Sequence, residues 1–341
     1  MSTPDPQEAA ATALATLQLR LITHNVRFAT DNPSPGERPW SERCPRLCAQ
    51  LAFNTIGRDA SIICLQEALC RQLLDVVDHL NGHNYPDWTH LGVGRDDGQK
   101  AGEHSPILYR NSAWVREQQR TYWLSETPDT PSRGWDADLP RIATVARLRH
   151  RGSGRAVVVI STHLDNFGQV ARRESAKLLL RIAAEWAKGG GGPVRDWDAD
   201  MDVSGAADGA SMYPVFLGGD FNSKPDGAAY QEMTAPGSGM ADVSTLLREE
   251  EWYGNHDVTY TSFGEPNETP AKIDFLFVRV PGPSAAVRVL TFGVLANRFD
   301  DDGVYLSDHR AVVADVEISD ESPAVVAARP PRQWLYWQGT R

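Results

Sequence analysis

The sequence predicts an α+β fold of four layers, two mixed β-sheets packed face to face with helices on their outer surfaces. Short apolar runs rich in branched residues recur along the chain and read as strands. Helical periodicities fall between some of these runs, and strands and helices follow no strict alternation. Each sheet must bury one face on the other and cover its second face, so this mixed order gives a sandwich with helices outside.

Taken in order, Met1 to Leu17 is Ala-rich and acidic, with neither the basic leader nor the apolar run of a signal peptide. Residues 1–16 are therefore expected to be disordered, and the protein to stay inside the cell. Leu19–Thr23 reads as the first strand, followed by a helical stripe of Cys44, Leu47, Cys48 and Leu51. Ser61–Leu65 is a strand, and Leu69, Leu73, Val76, Val77 and Leu80 mark a second helix. Three strands follow at Ile107–Tyr109, Ile142–Leu148 and Ala156–Thr162, then a helix carrying Leu178, Ile182 and Trp186. Residues 189–211 are glycine-rich and then acidic, which suits a flexible inserted loop better than a calcium site around Asp196–Asp200. Val215–Gly218, Ile273–Val278 and Ala311–Ile318 complete the strands. Residues 17–320 are read as one domain, and 321–341 as a tail that packs back or stays disordered.

The composition, 41% hydrophobic and 23% charged over 341 residues, is that of a soluble globular chain. No stretch approaches the roughly 20 apolar residues of a membrane span. A formal net charge of −11 disfavours an extended clamp on duplex DNA, whose affinity comes from lysines and arginines that displace counterions. The four cysteines form no CxxC pair, and buried free thiols suit Cys44 and Cys48 better than metal ligation. Gly189–Gly192 lacks the Gly-Lys-Ser/Thr of a P-loop, so nothing indicates ATP hydrolysis.

Polar residues sit at the ends of the predicted strands: Asn25, Glu67, His163 and Asp165, Asp220 and Asn222, and Asp308 with His309. Each alone reads as a turn residue, a helix-start carboxylate or a satisfied core histidine. Together they are costly to bury unless they share a site. Carboxylates and carboxamides converging there offer a hard cation its oxygen ligands, and two histidines offer proton transfer near neutral pH.

The segments Thr23-His-Asn25, Leu65-Gln-Glu67, Ser161-Thr-His-Leu-Asp165, Gly218-Gly-Asp-Phe-Asn222, Lys272-Ile-Asp274 and Leu306-Ser-Asp-His309 resemble, in order and spacing, the motif set of the endonuclease/exonuclease/phosphatase superfamily. Gly94–Gly98, Gly102–Tyr109, Trp123–Trp135 and Pro140-Arg141 are similar to a bacterial and fungal branch of that superfamily whose substrate is undefined.

The resemblance implies a four-layered sandwich and a Mg2+-dependent phosphoesterase, with Mn2+ as a substitute ion. Glu67 is then the principal metal ligand, assisted by Asn25, Asp220 and Asp308. His309 pairs with Asp274, and His163 with Glu103. Asn222 and Asp220 orient the attacking water, with Asp220 slightly favoured over His309 as general base. Arg141 is expected to hold phosphate oxygens, while Tyr109 either donates to the phosphate or packs in the core. The loops around Arg95–Gly98 and Trp123–Trp135 either recognise substrate or simply pack. Asp300–Asp302 reads as a solvated loop rather than a second metal site.

The expected reaction is hydrolysis of a phosphodiester by metal-assisted attack of water. The alternative is phosphomonoester hydrolysis on a small sugar, inositol or nucleotide phosphate; a remoter one is an inactive binding module. The acidic chain favours small or single-stranded substrates over duplex DNA, acting as a monomer with no membrane partner.

Overall fold

The computed structural model describes residues 16–82, 86–191, 213–254, 256–279 and 286–319. The expectations for residues 1–15, for the acidic part of the 189–211 insertion and for the tail lie outside the described residues. Among the described residues no helix is long and apolar enough to cross a membrane.

The elements run β1 (Leu17–Asn25), α1 (Trp40–Thr55), β2 (Ile62–Gln66), β3 (Ala68–Leu69), α2 (Cys70–Asn81), β4 (Trp88–Leu91), β5 (Glu103–His104), β6 (Ile107–Arg110) and β7 (Trp114–Trp123). They continue with β8 (Ile142–His150), β9 (Ala156–His163), α3 (Gln169–Ala187), β10 (Val215–Asp220), α4 (Ala228–Thr234), β11 (Ala241–Asp242), β12 (Asp274–Arg279), β13 (Ala286–Val294) and β14 (Val312–Ser319). One six-stranded sheet has the order β13-β14-β1-β2-β6-β4, and the other β11-β12-β10-β9-β8-β7. The fold is the expected sandwich of two mixed sheets.

Side-chain alternation explains the layers. Leu19, Leu21, Ile62 and Cys64 of one sheet meet Val157, Val159, Phe216 and Leu276 of the other in the central core. The intervening Ile22, Ile63 and Leu65 turn outward onto Leu47, Cys48, Leu51, Leu73 and Val76 of α1 and α2. Val158, Ile160, Leu217 and Phe277 turn outward onto Leu178, Leu179, Ile182 and Trp186 of α3. The central strands are thus buried on both faces, which is why they read as unbroken apolar runs.

The strands absent from the sequence reading lie mostly at the margins. β13 and β4 are the edges of one six-stranded sheet, and β11 and β7 those of the other. β7 carries Arg116, Glu117, Gln118 and Gln119 on an exposed stretch, and its pairing with β8 shifts register between Arg116 and Gln118. β13 is also bulged, between Val289 and Thr291. Polar facing and broken register erase the pattern that marks a central strand. Asp300 is 98% exposed in its side chain and Asp302 pairs with Arg46 at 2.6 Å, as a solvated loop would have it.

Candidate active site

Strand pairing brings the polar residues to one edge of the sandwich. β1 and β2 run parallel and end at Asn25 and Gln66, which are register partners. In the other sheet Asp220 ends β10 opposite His163 of parallel β9 and Asp274 of antiparallel β12. The two sheets approach closely here because Gly218 faces Thr23 and Cys64, whose Cβ atoms would lie 3.0 and 3.3 Å from an added Cβ. Asn25 of one sheet accordingly donates through Nδ2 to Asp220 of the other, at 3.0 Å.

The backbone is also bent to the task. Five described non-glycine residues have positive φ, and three of them, Arg27 at 57°, Glu67 at 58° and Asn222 at 46°, lie at this edge. Strain of this kind persists where the surroundings hold a residue in a required direction. Glu67 Oε1 accepts from Asn25 Nδ2 at 3.0 Å and Oε2 from the Phe28 amide at 3.1 Å. Asn222 donates its amide to Asp220 Oδ1 at 2.8 Å and its side chain to the Leu164 carbonyl at 3.0 Å.

Asp220 Oδ2 is the hub. Besides Asn25 it faces His163 Nε2 at 3.5 Å and His309 Nε2 at 3.6 Å. Burial, and then the neighbouring Asp274 charge, raise the Asp220 carboxyl above its ordinary pKa. His309 Nδ1 is bonded to Asp274 Oδ2 at 2.8 Å. Burial alone would lower this imidazole, but the carboxylates of Asp274, Asp220 and Asp308 carry it well above its usual value. The Tyr260 ring lies 5.1 Å from the His309 ring, and Thr259 Oγ1 accepts the Asp274 amide at 3.0 Å. Neither residue was singled out from the sequence, because their segment forms only isolated bridges and leaves no strand periodicity. Burial pushes the Asp308 carboxyl up to about 6, against the pull of His309 and Arg27.

The structure gives several of the expected site residues other partners than those foreseen. His163 does not form a simple pair with Glu103. Glu103 Oε2 is 3.7 Å away and bonds instead to Arg95 at 2.8 Å, while Arg141 NH1 stands 3.1 Å from His163 Nδ1. A guanidinium can only donate, so this imidazole is neutral, and burial followed by Arg141 lowers its pKa to about 4. Arg141, expected to grip phosphate, is 4% exposed and is also occupied by Asp165 at 3.3 Å and Asn166 at 2.8 Å. Tyr109 pairs with Ile62 at the opposite end of β2 and is buried in the central core, so it is the packing alternative that holds. Asn25 turns its NH2, rather than its oxygen, toward the carboxylates, and Oδ1 accepts the Arg27 amide at 2.9 Å. Trp123 is 6% exposed and donates to the Arg95 carbonyl at 2.7 Å, so it packs against and anchors the loop that carries Arg95.

The ligand atoms of Glu67, His163 and Asp220 all lie within 4.8 Å of one another, as do those of Asp220, Asp274 and His309. The first group is oxygen-rich and fits a hard divalent cation; the second is a hydrogen-bonded acid–base unit.

Residues 22–309 match the family model described as Endonuclease/Exonuclease/phosphatase family. Among solved structures, an endonuclease/exonuclease/phosphatase from Bacteroides vulgatus is 30% identical, with a TM-score of 0.67 over 88% of this chain and 98% of that one. A family protein from Bacteroides thetaiotaomicron is 28% identical, with a TM-score of 0.70 over 89% and 96%. A mannosyl-6-phosphatase from the same organism is also 28% identical, with a TM-score of 0.68 over 87% of this chain and 99% of that one. No curated protein matches this chain.

Proposed function

The chain belongs to the endonuclease/exonuclease/phosphatase family, hydrolases of phosphoester bonds, and from that premise we propose that it is a Mg2+-dependent phosphatase of a small phosphorylated sugar. The observation that carries this reading is the convergence of Asn25, Glu67, His163 and His309 on Asp220 from both sheets.

Glu67, Asp220, Asp274 and Asp308 crowd four carboxyl groups around one strand end, and a hard cation relieves the repulsion among such groups. Glu67 would be the main ligand, with Asp220 and Asp308 beside it and Asn25 orienting both Glu67 and Asp220 through its NH2. When bound, the ion neutralises a phosphate oxygen and stabilises the leaving oxygen.

The protein groups divide the remaining work. Asp220, whose proton affinity is raised, accepts a proton from the attacking water, and Asn222 fixes that carboxylate through its amide. His309, held as an imidazolium by Asp274, donates to the phosphate oxygens as their charge grows. His163 is a neutral positioning group beside Asp220. Arg141 orients His163 through Nδ1 rather than touching substrate.

Support for a sugar monoester comes from the similarity to the mannosyl-6-phosphatase and from a chain charge of −11, which disfavours duplex DNA. The test is hydrolysis of mannose 6-phosphate, p-nitrophenyl phosphate, bis-p-nitrophenyl phosphate, DNA and RNA by wild type and His309→Ala, with Mg2+ or EDTA. We expect monoester hydrolysis that chelator abolishes and Mg2+ or Mn2+ restores. Cleavage of diesters alone would return the substrate to the phosphodiester expected from the sequence, and full activity in EDTA would remove the metal.

A further inference from the structure

We propose that Cys44, Cys48 and His79 form a second metal site, for a zinc-class cation, that clamps α1 to α2 apart from the strand-end cluster. Cys44 and Cys48 lie one turn apart on α1 and are 4% and 3% exposed. Their sulfurs are 3.8 Å apart, and Cys44 Sγ is 3.9 Å from His79 Nδ1 on α2. All three ligand atoms fall within 4.8 Å of one another. A tetrahedral zinc with Zn–S of about 2.3 Å and Zn–N of about 2.0–2.1 Å sets S···S and S···N edges near 3.8 and roughly 3.6 Å. The Cys44–Cys48 and Cys44–His79 pairs stand close to those edges.

A second pair of residues one turn apart faces the same contact. Asp75 precedes His79 by four positions on α2, and its Oδ2 is fixed by the Trp40 indole of α1 at 2.9 Å. A water can complete the tetrahedron.

Binding would release one proton from each thiol. It would also move the ring proton of His79 from Nδ1, now 2.7 Å from the Asp75 carbonyl, to Nε2. That carbonyl, lying within α2, keeps its helical hydrogen bond. The clamp would act on groups that support the catalytic edge. Arg43 of α1 donates to the Val26 and Leu306 carbonyls at 2.8 and 2.9 Å, and Gln72 of α2 to the Arg27 carbonyl at 3.0 Å.

The test titrates the reduced full-length protein with Cd2+, a spectroscopic stand-in for zinc, in saturating Mg2+. The expected result is a single-equivalent thiolate-to-metal ultraviolet band that Zn2+ displaces and that Cys44→Ser/Cys48→Ser lacks. His79→Ala, an exposed change that spares the core, should weaken binding by more than the roughly tenfold loss of an outer partner. Zn2+ should also raise the Tm of wild type but not of the double variant. No band, a band surviving the double substitution, or unchanged affinity in His79→Ala would each overturn the site.

Discussion

His309 and His163 approach the same carboxylate oxygen of Asp220 at nearly equal distances, 3.6 and 3.5 Å, yet their outer nitrogens face opposite charges. His309 Nδ1 meets the Asp274 carboxylate at 2.8 Å, and His163 Nδ1 meets the Arg141 guanidinium at 3.1 Å. Both rings are buried, so desolvation pushes both toward the neutral form. The neighbours separate them: the carboxylates overcome burial at His309 and carry it well above its ordinary value, whereas Arg141 adds to burial at His163, which falls to about 4. Two histidines in one site are therefore not interchangeable, and the residue behind each ring assigns its work.

The largest expected effect is on turnover. His309→Ala removes the imidazolium that meets the growing phosphate charge and should lower kcat by at least about 100-fold. His163→Ala removes a neutral positioning ring and should lower kcat by roughly tenfold, below the range of groups that transfer protons. Equal losses in single-turnover measurements on the two variants would break the comparison.

An intermediate effect should follow from exchanging the partner. Arg141→Gln takes the guanidinium from His163 Nδ1 and leaves the Glu103 carboxylate, now at 3.7 Å, as the charged group facing that nitrogen. The His163 pKa should then rise from about 4 toward its ordinary 6.5, with burial still holding it down. Imidazole proton resonances followed against pH would report the shift. A His163 pKa that stays low would mean that burial alone sets it.

This contrast also measures what the sequence could convey. Central strands were legible because burial on both faces writes an apolar run, as in Val157–Ile160. The edge strands β7 and β13 were not, since one side meets solvent and the register is interrupted. Within the site, their places at predicted strand ends gathered Asn25, Glu67, Asp220 and His309, and the family resemblance added Asp274. Chain order could not tell which carboxylate answers which histidine. Arg95 is eight residues from Glu103 and joins it through a folded loop, in which the Arg95 amide bonds to the Glu103 carbonyl at 3.0 Å. Arg141 reaches His163 across adjacent strands, so the competition for Glu103 is decided by tertiary packing. Tyr109 differs again: alternation marks it as apolar or polar equally well, and only the antiparallel register with Ile62 sends it away from the site.

The smallest effect is on stability in metal-free protein, where the two rings should give opposite pH slopes. Between about pH 4 and 6.5 the unfolded His163 binds a proton that the folded ring refuses, so its contribution is lost as pH falls through this window. Above pH 6.5 the folded His309 retains a proton that the unfolded residue has released. Its stabilisation is complete below 6.5 and disappears as pH rises through the elevated folded value. Because Asp220 and Asp274 share protons with these rings, the slopes belong to the cluster, and variants are needed to separate them. His163→Gln should flatten the acid side of a plot of Tm against pH in EDTA, and His309→Gln the alkaline side. At roughly 2–4 °C for each kcal/mol, differential scanning calorimetry resolves both changes. If both substitutions altered the same limb, the two rings would have to carry the same charge, and the division of work between them would fail with it.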